Sequence, residues 1–223
     1  MLLTAPGVLK PDEIALAREW LASARFVDGK ASAGAAARRV KKNLEAERGA
    51  GLERLDEMVM GNLARHPAYR GGALPLHAAT PLYVRYAPGM QYGEHLDDPI
   101  MGAGGVMYRS DVAVTLFLSA PEAYEGGELV IRGAFGETSV KLPAGDAVLY
   151  PAGSLHHVNA VTRGERLVAV TWVQSAVRDA ARRELLYGLN LARESLLRDA
   201  PEAEATAQVN AAYLNLMRMW SEL

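Results

Sequence analysis

The sequence predicts a mainly β protein with flanking helices, built on a double-stranded β-helix, or jelly-roll, core. Three observations predict it. Between Pro81 and Gln174 apolar residues recur with period two. Turn residues cut that stretch into about eight short strands, the rhythm of a sandwich or barrel. On either side the apolar period lengthens to that of a helix, and nothing alternates strand with helix as a parallel doubly wound sheet would.

The N-terminal part reads as helical from Pro11 to about His66. Pro11-Asp12-Glu13 puts a proline and two acids in a first turn, where a missing N–H and negative charge are both favourable. Ile14, Leu16, Ala17, Trp20 and Leu21 follow at helical spacing. Residues 29–36 are small and predict a loop. Arg38 to Arg48 is charged and amphipathic, and its Arg38-Arg39-Val40-Lys41-Lys42 cluster reads as a solvated helix face. Leu52, Leu55, Met58, Val59 and Leu63 give another apolar stripe.

The β block starts with Pro81 to Tyr86. Ser110 to Ser119 is a strand, and Glu125-Gly126-Gly127-Glu128 is a turn feeding Leu129-Val130-Ile131. Thr138 to Leu142 alternates. Pro143-Ala144-Gly145-Asp146 turns into Ala147 to Tyr150, and Pro151-Ala152-Gly153 turns again. Arg166 to Gln174 is a β-branched strand. From Val177 the pattern is helical. Leu185, Leu186, Leu189 and Leu196 form one apolar set, and Val209, Tyr213, Leu216, Met217 and Trp220 another. This divides the chain into a jelly-roll domain with its N-terminal helices, residues 1–176, and a C-terminal helical extension, residues 177–223.

Composition narrows the chemistry. The chain has 223 residues, 50% hydrophobic and 22% charged, with a net charge of −2. That is a soluble globular balance with no global pull toward nucleic acid or membrane. No cysteine is present, which excludes disulfides, thiolate metal sites and cysteine nucleophiles. No secretory signal or membrane span is visible, so a cytoplasmic location is expected. The five histidines are His66, His77, His95, His156 and His157. Any metal site must draw on these and on carboxylates. His66 and His77 lie in the helical part and a loop and are read as structural or solvated.

The β block holds Glu94-His95-Leu96-Asp97-Asp98. On an extended chain residues two apart point the same way, so His95 and Asp97 converge while Glu94 and Asp98 do not. Some sixty residues on comes Ser154-Leu155-His156-His157. One imidazole from that pair completes two histidines and one carboxylate. Such a set leaves one face of an octahedral metal open, as in non-haem Fe(II) oxygenases. Ten residues after His156 stands Arg166 at the head of a strand, deeper in an antiparallel barrel than the metal. Its planar fork suits the far end of a chelating dicarboxylate. Arg163 competes for that role but lies in the turn before the strand.

The run from Tyr86 to Gln174 resembles the Fe(II)/2-oxoglutarate-dependent dioxygenases, in their prolyl-hydroxylase-like branch and more closely the PKHD-type hydroxylases. The resemblance rests on Tyr86-Ala87-Pro88-Gly89, His95-Leu96-Asp97, Val114 to Ser119 and Gly126-Gly127-Glu128-Leu129. It continues through Ser154-Leu155-His156, Val161 to Arg166 and Trp172-Val173-Gln174-Ser175, and into the C-terminal helices. It implies His95, Asp97 and His156 as metal ligands and Arg166 as the partner of the distal carboxylate of 2-oxoglutarate. His157 stands where the family carries a basic residue such as arginine. Tyr86 is read either as a hydrogen-bond partner of the cosubstrate or as an ordinary buried tyrosine. The cofactors implied are Fe(II), 2-oxoglutarate and O2, with ascorbate as activator. The activity implied is hydroxylation of an unactivated C–H bond with decarboxylation of 2-oxoglutarate to succinate, and the family is associated with iron and siderophore uptake. Relatives that halogenate lack the carboxylate ligand, so Asp97 favours hydroxylation.

Residues 99–109, glycine-rich, are expected to form a lid over a small-molecule or peptide substrate. Trp20, Trp172 and Trp220 are read as core or interface residues, and the C-terminal helices as a homodimer surface. The alternatives are a non-catalytic cupin-like binding module, which has no use for Arg166, and a zinc hydrolase, which needs a base beside the metal.

Overall fold

A computed structural model describes residues 1–103 and 105–222. The chain runs β1 (Leu3–Ala5), α1 (Pro11–Ser23), β2 (Phe26–Asp28), β3 (Lys41–Lys42) and β4 (Leu44–Ala46). Next come α2 (Ala50–Arg65), α3 (Pro67–Ala73), β5 (Pro75–Ala78), β6 (Leu82–Tyr86) and β7 (Gln91–His95). A hairpin of β8 (Ile100–Ala103) and β9 (Val106–Arg109) precedes β10 (Val112–Phe117), β11 (Tyr124–Gly126) and β12 (Leu129–Gly133). β13 (Gly136–Val140), β14 (Ala147–Pro151), β15 (His156–Val158), β16 (Val161–Gly164) and β17 (Arg166–Ser175) complete the β part. α4 (Ala180–Asp199) and α5 (Glu204–Trp220) end the chain.

All strand pairs are antiparallel. An eight-stranded sheet has the order β1-β14-β10-β17-β6-β4-β2, with β5 added to β17. A five-stranded sheet has the order β13-β12-β15-β7-β3. The two sheets enclose one apolar cluster, with Val84, Phe117, Leu129, Ile131, Val148 and Val168 in it. The outer face of the large sheet buries a second cluster against α1, α2 and α3, through Leu21, Leu55, Val59, Val114, Leu116 and Leu149. The predicted mainly β class with flanking helices holds. The strand count exceeds the eight read from sequence because several strands are only two to four residues long, too short to display a period.

Local chemistry explains the helix starts. Pro11 opens α1, and the Glu13 carboxylate accepts the Lys10 backbone N–H at 2.8 Å. The His66 ring caps α3 by accepting the Ala68 N–H at 3.2 Å, and Asp179 caps α4 through the Arg182 N–H at 2.8 Å. His66 is thus structural. On α5, Tyr213, Leu216, Met217 and Trp220 pack against Leu74, Val177 and Leu186. That apolar face is therefore occupied within the chain, while Leu185, Leu191, Leu214 and Met219 remain exposed.

One stretch departs from its sequence reading. Arg38 to Arg48, expected to be helical, carries a single 3-10 turn and then β3 and β4. β3 pairs with β7, Lys41 opposite Tyr92, whereas β4 pairs with β6, Glu45 opposite Val84. The segment therefore hydrogen-bonds to both sheets and closes the gap between them. Its Lys, Leu, Glu and Ala content favours a helix locally, but two open strand edges claim its backbone groups. Lys41 is buried rather than solvated.

Among the described residues no helix is long and apolar enough to cross a membrane.

Candidate metal centre and cosubstrate pocket

β7 and β15 lie side by side in the small sheet, with His95 directly opposite His156. Their ring centroids are 4.3 Å apart. Asp97 follows two residues after His95, where the chain leaves the strand. Its Oδ1 lies 3.9 Å from His95 Nε2 and 3.8 Å from His156 Nε2. One ligand atom from each of the three residues falls within 4.8 Å of the others. The sequence therefore folds to bring together all three residues it nominated, and His156 rather than His157 faces the cluster. His157 sits opposite Val130 on β12, one residue out of phase.

Each ring is aimed by its own backbone. His95 Nδ1 meets the Gly93 carbonyl at 2.8 Å, and His156 Nδ1 meets the Ser154 carbonyl at 2.9 Å. A ring that donates from Nδ1 presents an Nε2 lone pair, the form a metal needs. Tyr92 stacks on His95 at 3.6 Å between centroids. Burial, with His156 beside it, lowers the His95 pKa to about 3. Burial pushes the Asp97 carboxyl up, while His156 and the Trp172 N–H pull it back down. His95 is therefore neutral at pH 7 without any metal.

The sign of the resulting pH effect follows. The unfolded His95 binds a proton near pH 6.5, whereas the folded one does not until about 3. Across that window the unfolded state holds more protons, so stability falls as pH falls from 6.5 toward 3. Metal-free protein should lose stability relative to His95→Gln over this range, measured by urea denaturation at a series of pH values.

Trp172 was read from sequence as a core or interface residue, and the structure gives it a further part. Its Nε1–H donates to Asp97 Oδ2 at 2.8 Å, which leaves Oδ1 facing the histidines. Partners of this kind are worth about 10–100-fold in metal affinity or activity. Trp172→Phe keeps the ring and removes the donor, so metal affinity should drop within that range, measured by competition with a chromophoric chelator. Arg166, Val170 and Trp172 face the cavity, while Leu167, Ala169 and Val173 pack toward the helices.

The three residues open into a cavity between the sheets. Arg166 lies in it, 1% exposed and with no acidic partner. Its guanidinium sits 5.0 Å from the Tyr86 ring centroid and 5.5 Å from that of Phe117, and Nε has no hydrogen-bond partner. Gly127, at positive φ, makes room for it. A Cβ on Gly127 would stand 3.1 Å from Arg166 Cδ and 3.1 Å from the Tyr124 ring. A cation this deep without a counter-charge is costly unless an anion joins it. Arg163, by contrast, is exposed and bonds Glu125 at 2.9 Å.

Tyr86 is buried, lines the cavity and accepts a hydrogen bond from Asn43 Nδ2 at 3.0 Å. Burial raises its pKa, with the Arg166 charge opposing, and burial raises that of Tyr150 further. Both hydroxyls stay protonated and able to donate. Tyr150 and Thr115 also line the cavity, and no feature of their short strands marked them in the sequence. Glu94 bonds Arg132 at the surface and His77 packs against Tyr108. Residues 99–109, expected to be a lid, form the β8–β9 hairpin beside the site, apart from Gly104, which lies outside the described residues.

Two histidines, one carboxylate and a buried arginine inside a double-stranded β-helix define the class of non-haem metal oxygenases that take a dicarboxylate cosubstrate. The 2OG-Fe(II) oxygenase superfamily model matches residues 81–174, and the PKHD-type hydroxylase C-terminal domain model matches residues 179–222. A PKHD-type hydroxylase of Thioalkalivibrio sulfidiphilus is 51% identical over 100% of both chains, and one of Hyphomonas neptunium is 48% identical over 100% of both. The chain belongs to the PKHD-type hydroxylases and is a 2-oxoglutarate-dependent hydroxylase. Its fold is similar to a Pseudomonas putida prolyl-4-hydroxylase, with a TM-score of 0.54 at 21% identity over 78% of this chain and 92% of that one.

Proposed function

We propose that His95, Asp97 and His156 hold Fe(II) and that Arg166 holds the distal carboxylate of 2-oxoglutarate. In this reading the protein hydroxylates an unactivated C–H bond while 2-oxoglutarate is decarboxylated to succinate. The observation that carries it is Arg166, a buried cation without an acidic partner in the cavity that holds the ligand cluster. Bound iron supplies O2 activation. The chain's own residues do the rest. His95 and His156, each with Nδ1 on a backbone carbonyl, offer Nε2, and Trp172 orients Asp97. Tyr86 and Tyr150 give hydroxyl donors beside the arginine. The apolar sheet faces keep water from the site. A zinc hydrolase is disfavoured because Glu94, next to His95 in sequence, bonds Arg132 at the surface and the Glu45 carboxylate in the cavity is tied up by Lys41 and Ser32. A cupin-like binding module has no use for a buried Arg166.

Purified protein given Fe(II), ascorbate, O2 and 2-oxoglutarate should form succinate and CO2 slowly even without prime substrate, and a chelator should stop it. Turnover undiminished by chelator would overturn the proposal. Ascorbate should act by sustaining the rate, read as a longer linear phase.

A further inference from the structure

The segment that departs from its helical reading lines the cavity. In an extended run, residues two apart share a face. Lys41, Asn43 and Glu45 all turn into the space between the sheets, and all three line the same cavity as His95, Asp97 and Arg166. Lys41 is 6% exposed and Glu45 7%. Lys41 Nζ lies 2.5 Å from Glu45 Oε1, and Ser32 Oγ joins both at 2.8 Å. Lys41 Nζ also stands 5.2 Å from the ring centroid of Tyr92, the residue stacked on His95. The ammonium is thus one aromatic ring away from a metal ligand. The Asn43 side-chain carbonyl, close against Gly29, is buried without a hydrogen-bond partner.

A buried ion pair contributes little stability over apolar residues of similar volume, so folding alone gives weak reason for it here. The iron and cosubstrate have their own partners. A divalent metal with Asp97, and a dianion with Arg166, leave the loaded centre electrically neutral. The Lys41–Glu45 pair is neutral as well. A net charge brought into this enclosed space would therefore lack a counter-charge, whereas a group with both donors and acceptors would find partners for each.

We propose that Lys41 and Glu45 anchor the prime substrate by a polar head of zero net charge, of the amino-acid zwitterion or amide kind. This rests on the reading of the centre given above. Asn43 adds an acceptor to the same wall.

The test uses full-length protein loaded with redox-inert Zn(II) and 2-oxoglutarate. Four probes form two pairs matched in size and differing in charge: L-valine, a zwitterion, with L-valinamide, a cation; and N-acetyl-L-valinamide, neutral, with N-acetyl-L-valine, an anion. Their affinities are read by ligand-observed NMR titration. Wild type should bind the zwitterion and the neutral probe each at least about tenfold more tightly than its charged partner. Lys41→Met leaves Glu45 alone and should come to prefer the cation. Glu45→Gln leaves Lys41 alone and should come to prefer the anion. Lys41→Arg should keep the wild-type order. The same order in every variant, absence of charge discrimination in wild type, or no binding of any probe overturns the anchor. Wild-type selectivity decides the matter even if the variants do not fold. Binding of 2-oxoglutarate, followed in the same samples, separates the levels. Its loss overturns the reading of the centre and the anchor with it, whereas its presence alongside uniform probe affinities overturns the anchor alone.

Discussion

Asp97→Ala should abolish turnover and metal binding together. Asp97 is the carboxylate of the three-residue cluster, and its Oδ1 lies within 4 Å of both imidazoles. Without it two imidazoles remain, and the divalent charge loses its anionic ligand. The loss should exceed the roughly 10–100-fold cost of removing a mere hydrogen-bond partner of a ligand. Calorimetric titration with Zn(II) and a succinate assay measure it, and circular dichroism checks the fold. Asp97 follows the end of β7, so truncation there removes no strand pairing. Retained turnover would exclude Asp97 as a ligand.

Arg166→Met should produce two effects of opposite sign. Removing one partner of a buried charge pair costs about 2–5 kcal/mol, so 2-oxoglutarate should bind about 30- to 3,000-fold more weakly. Zn(II) affinity measured without 2-oxoglutarate should be unchanged. The ligand-free protein, however, should become more stable. Its Arg166 is a fully buried cation with an unpartnered Nε and, among the described residues, no acid within ion-pair distance, and methionine of similar length removes that desolvation cost. Thermal unfolding with and without 2-oxoglutarate reads both effects. A structural arginine would instead lower the melting temperature in both conditions.

Much of this was legible from the chain because it depends on local rules. Period two and turn residues marked β6, β10, β12, β13, β14 and β17. The spacing of His95 and Asp97 predicted their convergence, and Arg166 was placed by its position at the head of β17. What escaped depends on contacts remote in sequence. β17 is buried on both faces, so its residues read as one apolar run, and Trp172 looked like any core aromatic. Its indole acquires a role only where Asp97, 75 residues away, meets it. Lys41 to Glu45 has helix-forming composition. Only the two strand edges at β6 and β7 dictate its extended form.

The β3–β4 segment also bears on how much of the chain is a separable unit. The sequence match to the oxygenase superfamily spans residues 81–174, which suggests that the fold could be trimmed to that core. The pairing of β3 with β7 and of β4 with β6 argues otherwise. A fragment that starts at residue 81 would present two bare strand edges on the same side of the sandwich, with the apolar interior open between them. Edges of that kind recruit other strands, so self-association is the expected fate of such a fragment. The β3–β4 segment therefore covers both edges, and its sequence can change only within what both will accept.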